Sequence, residues 1–210
     1  MLTRPAVLYG RKLRANKWRL YCEMFPPRLG ESVLDVGTSA DYNFEPNANY
    51  FLHRYPHPEQ LTAVGIEDVS KLRSSYPLVT FVQADGRSLP FPDDSFDVVH
   101  SNAVIEHIPY SDQQAFVSEL VRVARAGMLT TPNRWFPLDP HTRLPFLHWL
   151  PRPLMLRANS LARHPEAGVW PISPRQLKRL FPPTTRMVVV PQRIAGMRAT
   201  LTVIFFSEGS

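Results

Sequence analysis

The sequence predicts a doubly wound α/β fold, a mostly parallel sheet with helices on both faces. Three observations carry this. Five short apolar runs, 32–37, 61–66, 79–83, 96–101 and 127–131, have the near-continuous hydrophobic character of parallel strands buried on both sides. Between the last two, Gln113 to Ala124 places Phe116, Leu120, Val121 and Ala124 on one helical face. The length, 210 residues, suits one α/β domain and is short for two. Ligands on such sheets bind at the carboxyl ends of the strands, where strand order reverses.

Taken in order, residues 8–25 read as a helix with the thin stripe Leu13, Trp18, Leu20, Tyr21, Met24 and Phe25, within an N-terminal helical segment 1–30. Pro26 and Pro27 end it. The five strands follow. Segment 132–183 breaks the alternation, is dense in Pro, Trp, His and Arg, and is expected to cap the site as an insertion of short helices and turns. Met187–Val190 and Thr200–Phe206 read as a closing hairpin connected through Gly196, which completes a single domain over 1–210.

Composition narrows the class. Hydrophobic residues make up 44% and charged residues 20%, the balance of a soluble globular protein. No apolar run approaches a membrane span, and the first twenty-five residues carry scattered Arg and Lys with no apolar core, so neither a signal nor an anchor is expected. Cys22 is the one cysteine, which excludes a disulfide framework or a Cys-based zinc site within one chain and suits a cytoplasmic location. A net charge of +6 could serve nucleic acid, an anionic membrane surface or an anionic substrate, but the charges form no block and plain solvation is the favoured reading. The G-x-x-x-x-G-K-[ST] motif is absent, and the single glycine after the first strand does not make the G-x-G-x-x-G of a dinucleotide site.

The residues after each strand are where function is sought. The first strand runs into Asp35-Val36-Gly37-Thr38-Ser39, the second into Glu67-Asp68, the third into Asp85-Gly86-Arg87, and the fourth into Asn102-Ala103-Val104-Ile105-Glu106-His107. Each acid alone is more often a surface charge or a helix cap. In order after consecutive strands they suit a nucleoside: one carboxylate for ribose hydroxyls, another for a purine amino group.

At Leu89-Pro90-Phe91-Pro92-Asp93-Asp94-Ser95-Phe96-Asp97-Val98-Val99, followed by Glu106-His107-Ile108, the chain resembles class I S-adenosylmethionine-dependent methyltransferases, specifically the type-11-like group. The resemblance covers residues 32–133, and Thr130-Thr131-Pro132-Asn133-Arg134-Trp135 is similar to a subset that looks like sugar or cell-envelope O-methyltransferases of actinobacteria. It implies a Rossmann-like, seven-stranded methyltransferase fold. It further implies that Asp35, Gly37 and Thr38 shape the loop around the methionine part of the cofactor S-adenosylmethionine. Glu67 would take the ribose hydroxyls, Asp85 the adenine amino group with Gly86 beside it, and Asn102 a place under the sulfonium. The chain departs from the family at Thr38-Ser39-Ala40, where further glycines are usual, and in the longer stretch to Glu67, where Glu45 or Asn49 could contribute.

An alcohol acceptor needs its proton removed, and histidine is the natural base near neutral pH. His141, in Asp139-Pro140-His141, and His107 are the catalytic candidates with Asp139; His148 reads as packing. Asp139 and His141 could also hold a divalent ion such as Mg2+, although two ligands do not make a site. Glu106, Arg134, Trp135 and Trp149 are the acceptor-binding candidates, because aromatic faces pack on sugar rings and arginine pairs with anions; Arg143 flanks the same loop. The expected activity is O-methylation of a small molecule, a saccharide first, a secondary metabolite or lipid-linked precursor second. A non-catalytic methyltransferase-like partner subunit is the alternative class. Ser101-Asn102-Ala103-Val104 lacks the Asp/Asn-Pro-Pro-aromatic run of base amino-methyltransferases, so nucleic acid is not expected as a partner, while a homodimer stays open.

Overall fold

Strand periodicity organises the molecule. A computed structural model describes residues 4–40, 49–138, 144–161 and 169–207. The apolar runs become β1 (Val33–Val36), β2 (Leu61–Gly65), β3 (Thr80–Gln83), β4 (Phe96–Asn102) and β5 (Ala124–Pro132), all mutually parallel. The hairpin β6 (Arg186–Ile194) and β7 (Met197–Phe206) returns antiparallel, with β7 between β5 and β6. Sheet order is β3-β2-β1-β4-β5-β7-β6, so strand order reverses between β1 and β4. Ala195 and Gly196 both take positive φ at the hairpin tip, the geometry a two-residue primed turn requires.

Successive side chains alternate between two cores. On one face Val33, Ala63, Val98 and Met128 meet Tyr21 and Phe25 of the α1 region (α1, Arg4–Met24) and Phe51 and Leu52 of α2 (Tyr50–Arg54). On the other, Leu34, Val36, Val99 and Leu129 meet Phe116, Leu120 and Val123 of α3 (Gln113–Val123). Helices thus cover both faces, as the sequence predicts. Among the described residues no helix is long and apolar enough to cross a membrane.

The first helix and both hairpin strands begin earlier than expected, and three further differences bear on the site's frame. The sheet takes over from α3 without a loop: Ala124 already has extended dihedrals and opens β5, three residues earlier than expected. The apolar residues of the helix run directly into those of the strand, so periodicity could not separate them. Helix α2 is too short for a 3.6-residue repeat to register. After β5, α4 (Arg152–Leu161) precedes α5 (Pro174–Leu180), whose start is set by a reciprocal Ser173–Gln176 capping box. Leu177 and Phe181 are buried in the α3-side core beside Ile172. Residues 172–181 are therefore a layer of the domain, and the predicted 132–183 cap boundary is too wide at its C-terminal end.

Candidate cofactor and acceptor site

At the reversal between β1 and β4 an open-mouthed cavity lies under α1. Asp35, Gly37, His100 and Asn102 line its floor; Arg14, Lys17, Trp18 and Tyr21 of α1 and Phe51 of α2 line its roof and wall.

Parallel register places Asp35 of β1 beside His100 of β4 and His100 beside Met128 of β5, all on the α1 face. The Asp35 carboxylate and His100 Nδ1 are 2.7 Å apart, both side chains buried, and Asp35 also accepts from the Thr38 hydroxyl at 3.3 Å. Phe51 stacks on the imidazole with centroids 3.9 Å apart, and Tyr21 meets it edge-on. The carboxylate expected to shape the methionine loop is thus held by a strand neighbour. His100 was not singled out in the sequence. Its signal is a polar residue at an inward position of the alternating run 96–102.

Gly37 has φ 108, and both its N–H and that of Thr38 donate to the Val64 carbonyl at 2.9 Å. A Cβ at Gly37 would collide with Val104 Cγ2 from the loop after β4, and one at Gly65 would lie 2.5 Å from the Thr38 carbonyl oxygen. The single glycine after β1 is thus required by a loop-to-loop contact. The Asn49 side chain accepts from Ser39 N–H and donates to Ser39 C=O, each at 2.9 Å, so it braces the loop where the further glycines are missing. Glu45 lies outside the described residues.

Lys17 is the second residue that sequence reasoning missed. Its Nζ donates to Asn102 Oδ1 at 2.7 Å and to Thr130 Oγ1 at 3.2 Å, and the Thr130 hydroxyl also donates to Asn102. Asn102 and Thr130 are register partners on the α1 face. Burial lowers the Lys17 ammonium to about 8, opposed by the Glu106 charge and reinforced by Arg14. The available signal was the i, i+3 and i+7 placement of Arg14, Lys17 and Tyr21 on one helical stripe.

The two nucleoside acids differ. Glu67 is exposed beyond β2. Asp85 is half-buried and held by Arg87, whose Nε and Nη2 reach both carboxylate oxygens at 2.6–3.0 Å, while the Arg87 N–H donates to Oδ1 at 2.9 Å. These hydrogen bonds hold the Asp85 carboxyl below its ordinary value, so it is an oriented anion. A Cβ at Gly86 would lie 2.6 Å from the Phe116 ring, so this glycine admits α3 close to the sheet. A nucleoside-bearing cofactor fits this edge: a glycine-permitted loop approach, a fixed carboxylate and a cavity at the strand reversal.

The acceptor-side candidates are dispersed. His107 sits exposed on the turn 105–107 and does not line the large cavity. Glu106 is buried on the opposite face and accepts from the Thr131 hydroxyl at 3.0 Å. Trp135 and Trp149 are exposed and face each other, ring centroids 6.3 Å apart. Arg134 follows β5, and its backbone N–H donates to the Ile172 carbonyl at 3.0 Å. His141, Asp139 and Arg143 lie outside the described residues. Among the described residues no group of three or more His, Cys, Asp or Glu could hold a metal ion.

Residues 34–129 match the family described as a methyltransferase domain. A probable S-adenosylmethionine-dependent methyltransferase of Mycobacterium tuberculosis is 36% identical over 120 residues, 55% of this chain and 40% of that protein. A probable S-adenosylmethionine-dependent methyltransferase of Mycolicibacterium smegmatis is 43% identical over 86 residues, 36% of this chain and 33% of that one. The chain spans less than half the length of these relatives. Among solved structures, magnesium protoporphyrin IX methyltransferase from Synechocystis, with bound S-adenosylhomocysteine, superposes with a TM-score of 0.61 at 11% identity, covering 99% of this chain and 89% of that one. A Pyrococcus horikoshii protein gives 0.64 at 14% identity, covering 94% and 91%. At these identities the likeness is one of fold.

Proposed function

We propose, from the match of residues 34–129 to a methyltransferase domain and the likeness to probable S-adenosylmethionine-dependent methyltransferases, that the protein methylates a hydroxyl group of a small molecule, a saccharide in the first instance. The observation that carries the reading is the amine Lys17 Nζ held at the carboxyl ends of β4 and β5, in the cavity where strand order reverses. S-adenosylmethionine supplies a methyl group already activated on a sulfonium, which leaves the protein to align the acceptor and take its proton. Gly37 and Thr38 would pass beside the methionine moiety, Glu67 would accept from the ribose hydroxyls and Asp85 from the adenine amino group.

Lys17 suits proton removal. With its ammonium near 8, a substantial fraction is neutral at pH 7.5, and the free amine takes the hydroxyl proton at Nζ. Asn102 and Thr130 fix the nitrogen by hydrogen bonding. His141, steadied by Asp139, is the alternative base. Segment 133–171 is proposed to shelter the acceptor. It is tied to the loop after β4 by the Trp170 N–H donating to the Glu106 carbonyl at 2.5 Å and the Tyr110 hydroxyl donating to the Pro171 carbonyl at 2.8 Å.

The test is transfer of tritiated methyl from S-adenosylmethionine into a panel of mono- and oligosaccharides. An O-methyl ether survives alkali, whereas a methyl ester releases labelled methanol. Alkali-stable product from wild type, lost in Lys17→Gln, supports the reading. Label found only in alkali-labile or amine-linked product overturns methylation of a hydroxyl. Full rate in Lys17→Gln with loss in His141→Ala moves the proton to histidine.

A further inference from the structure

A second cavity, of about 310 Å³, opens among Tyr110, Arg134, His148, Arg152, Met155 and Val169, away from the residues of the large one. Two guanidinium groups share it. Arg152 lies over Trp170, its Cζ 3.2 Å from the ring centroid, and Nη1 donates to the Val169 carbonyl at 3.3 Å. Arg134 lies 5.6 Å from the Trp135 centroid and its Nη1 donates to the Tyr110 hydroxyl at 3.4 Å. Stacking fixes the plane of a guanidinium and leaves its N–H edge free to bind in that plane.

Three further facts point to an anion. The ion pairs among the described residues are elsewhere, so neither arginine is neutralised by a described carboxylate. Arg134 Nε is buried and finds no acceptor among the described residues, where buried donors are normally satisfied. The Tyr110 hydroxyl feels both positive charges, which oppose the effect of its burial. The remaining walls are the buried His148 ring and the apolar Leu150, Met155, Val169 and Pro171. The Tyr110 hydroxyl spends its proton on the Pro171 carbonyl, so the free donors are the guanidinium edges, and two of them suit a tetrahedral oxyanion better than a planar carboxylate, which one guanidinium satisfies alone.

We propose that this cavity binds a phosphoryl group attached to an apolar or ring-bearing body, and that it is the anchor for the phosphate of a phosphorylated acceptor. The second half of this rests on the methyltransferase reading; the first does not. The experiment titrates phenyl phosphate into the full chain by isothermal calorimetry, with inorganic phosphate, benzoate and phenol as comparison probes. Arg134→Gln and Arg152→Lys are tested alongside. Arg134→Gln is the primary variant, because Arg152 also holds Trp170 and Val169 and its loss could unsettle the fold. Arg152→Lys keeps the charge and gives up the planar edge.

Phenyl phosphate should bind saturably, more tightly than benzoate and far more tightly than phenol, and Arg134→Gln should weaken it roughly tenfold or more with the thermal transition unchanged. Inorganic phosphate should compete, which would mark the phosphoryl group as the recognised element; a vesicle bearing phosphatidic acid that binds while phenyl phosphate does not would assign the surface to a membrane and overturn the proposal. Equal affinity in wild type and Arg134→Gln, tighter binding of benzoate, or no saturation by any soluble phosphate would also overturn it. S-adenosylhomocysteine is titrated separately. Its binding in the absence of phosphate binding would sink the anion site and leave the methyltransferase reading standing, and the reverse pattern would do the opposite.

Discussion

Lys17→Met separates the cost of placing an ammonium under α1 from its use. The ordinary lysine value of 10.5 falls to about 8 in the fold, which corresponds to about 3 kcal/mol of penalty on the charged form at neutral pH, less whatever residual solvent screens. Between about pH 8 and 10.5 the unfolded chain binds the proton and the folded chain does not. This group's contribution to stability therefore rises with pH through that window and is flat on either side. Methionine removes the charge and fills similar volume, while Asn102 keeps the Thr130 hydroxyl as donor. Urea unfolding of both proteins from pH 7 to 10.5 measures the difference. Lys17→Met should be at least as stable as wild type at pH 7 to within about 1 kcal/mol, and the wild type should gain on it by about 2–3 kcal/mol by pH 10.5. The variant's methyl transfer should collapse, and the wild-type rate should rise with pH to a plateau above about 8. A stability difference that does not change with pH would refute the argument, since it would mean an amine of ordinary acidity.

Gly37→Ala should destabilise the fold by more than about 2 kcal/mol, because it adds a positive-φ penalty to a collision with Val104; the double variant with Val104→Ala should recover only the collision part, as seen by thermal unfolding. Asp85→Ala and Glu67→Ala should each weaken S-adenosylhomocysteine binding by roughly 1–3 kcal/mol with folding intact, and unchanged calorimetric affinity in both would reject their roles. His100→Ala should cost about 1–3 kcal/mol in urea unfolding by leaving the buried Asp35 carboxylate with only the Thr38 hydroxyl, and Asp35→Asn should cost less because the amide can still bond the imidazole.

The sheet was readable because strands buried on both faces are rich in apolar side chains, and Val33, Leu34 and Val36, then Phe96, Val98 and Val99, mark β1 and β4 within a few residues. The pair Asp35–His100 was hidden because each reads as a polar interruption of its own run, and only the β1–β4 register, absent from any local pattern, joins them. Lys17 was hidden differently: its partners Asn102 and Thr130 are 85 and 113 residues away, so its altered acidity is a product of folding. Glu67 and Asp85 are picked out by position, the ends of successive strands; the structure leaves Glu67 exposed and orients Asp85 through Arg87. The resemblance sets Gly86 beside Asp85; that a Cβ there would meet the Phe116 ring is a packing demand no local pattern shows.

The hairpin has a consequence for association. β6 is the outermost strand, paired on one side to β7, and its other rim is the natural place for a stranger's strand to add. Pro191 removes a donor from the middle of that rim, a register irregularity follows at Gln192/Arg193, and Arg186 and Arg193 stand near its two ends. An incoming strand would meet a gap in the donor row and two cations. Among the described residues this rim is thus poorly suited to edge-to-edge pairing with another strand.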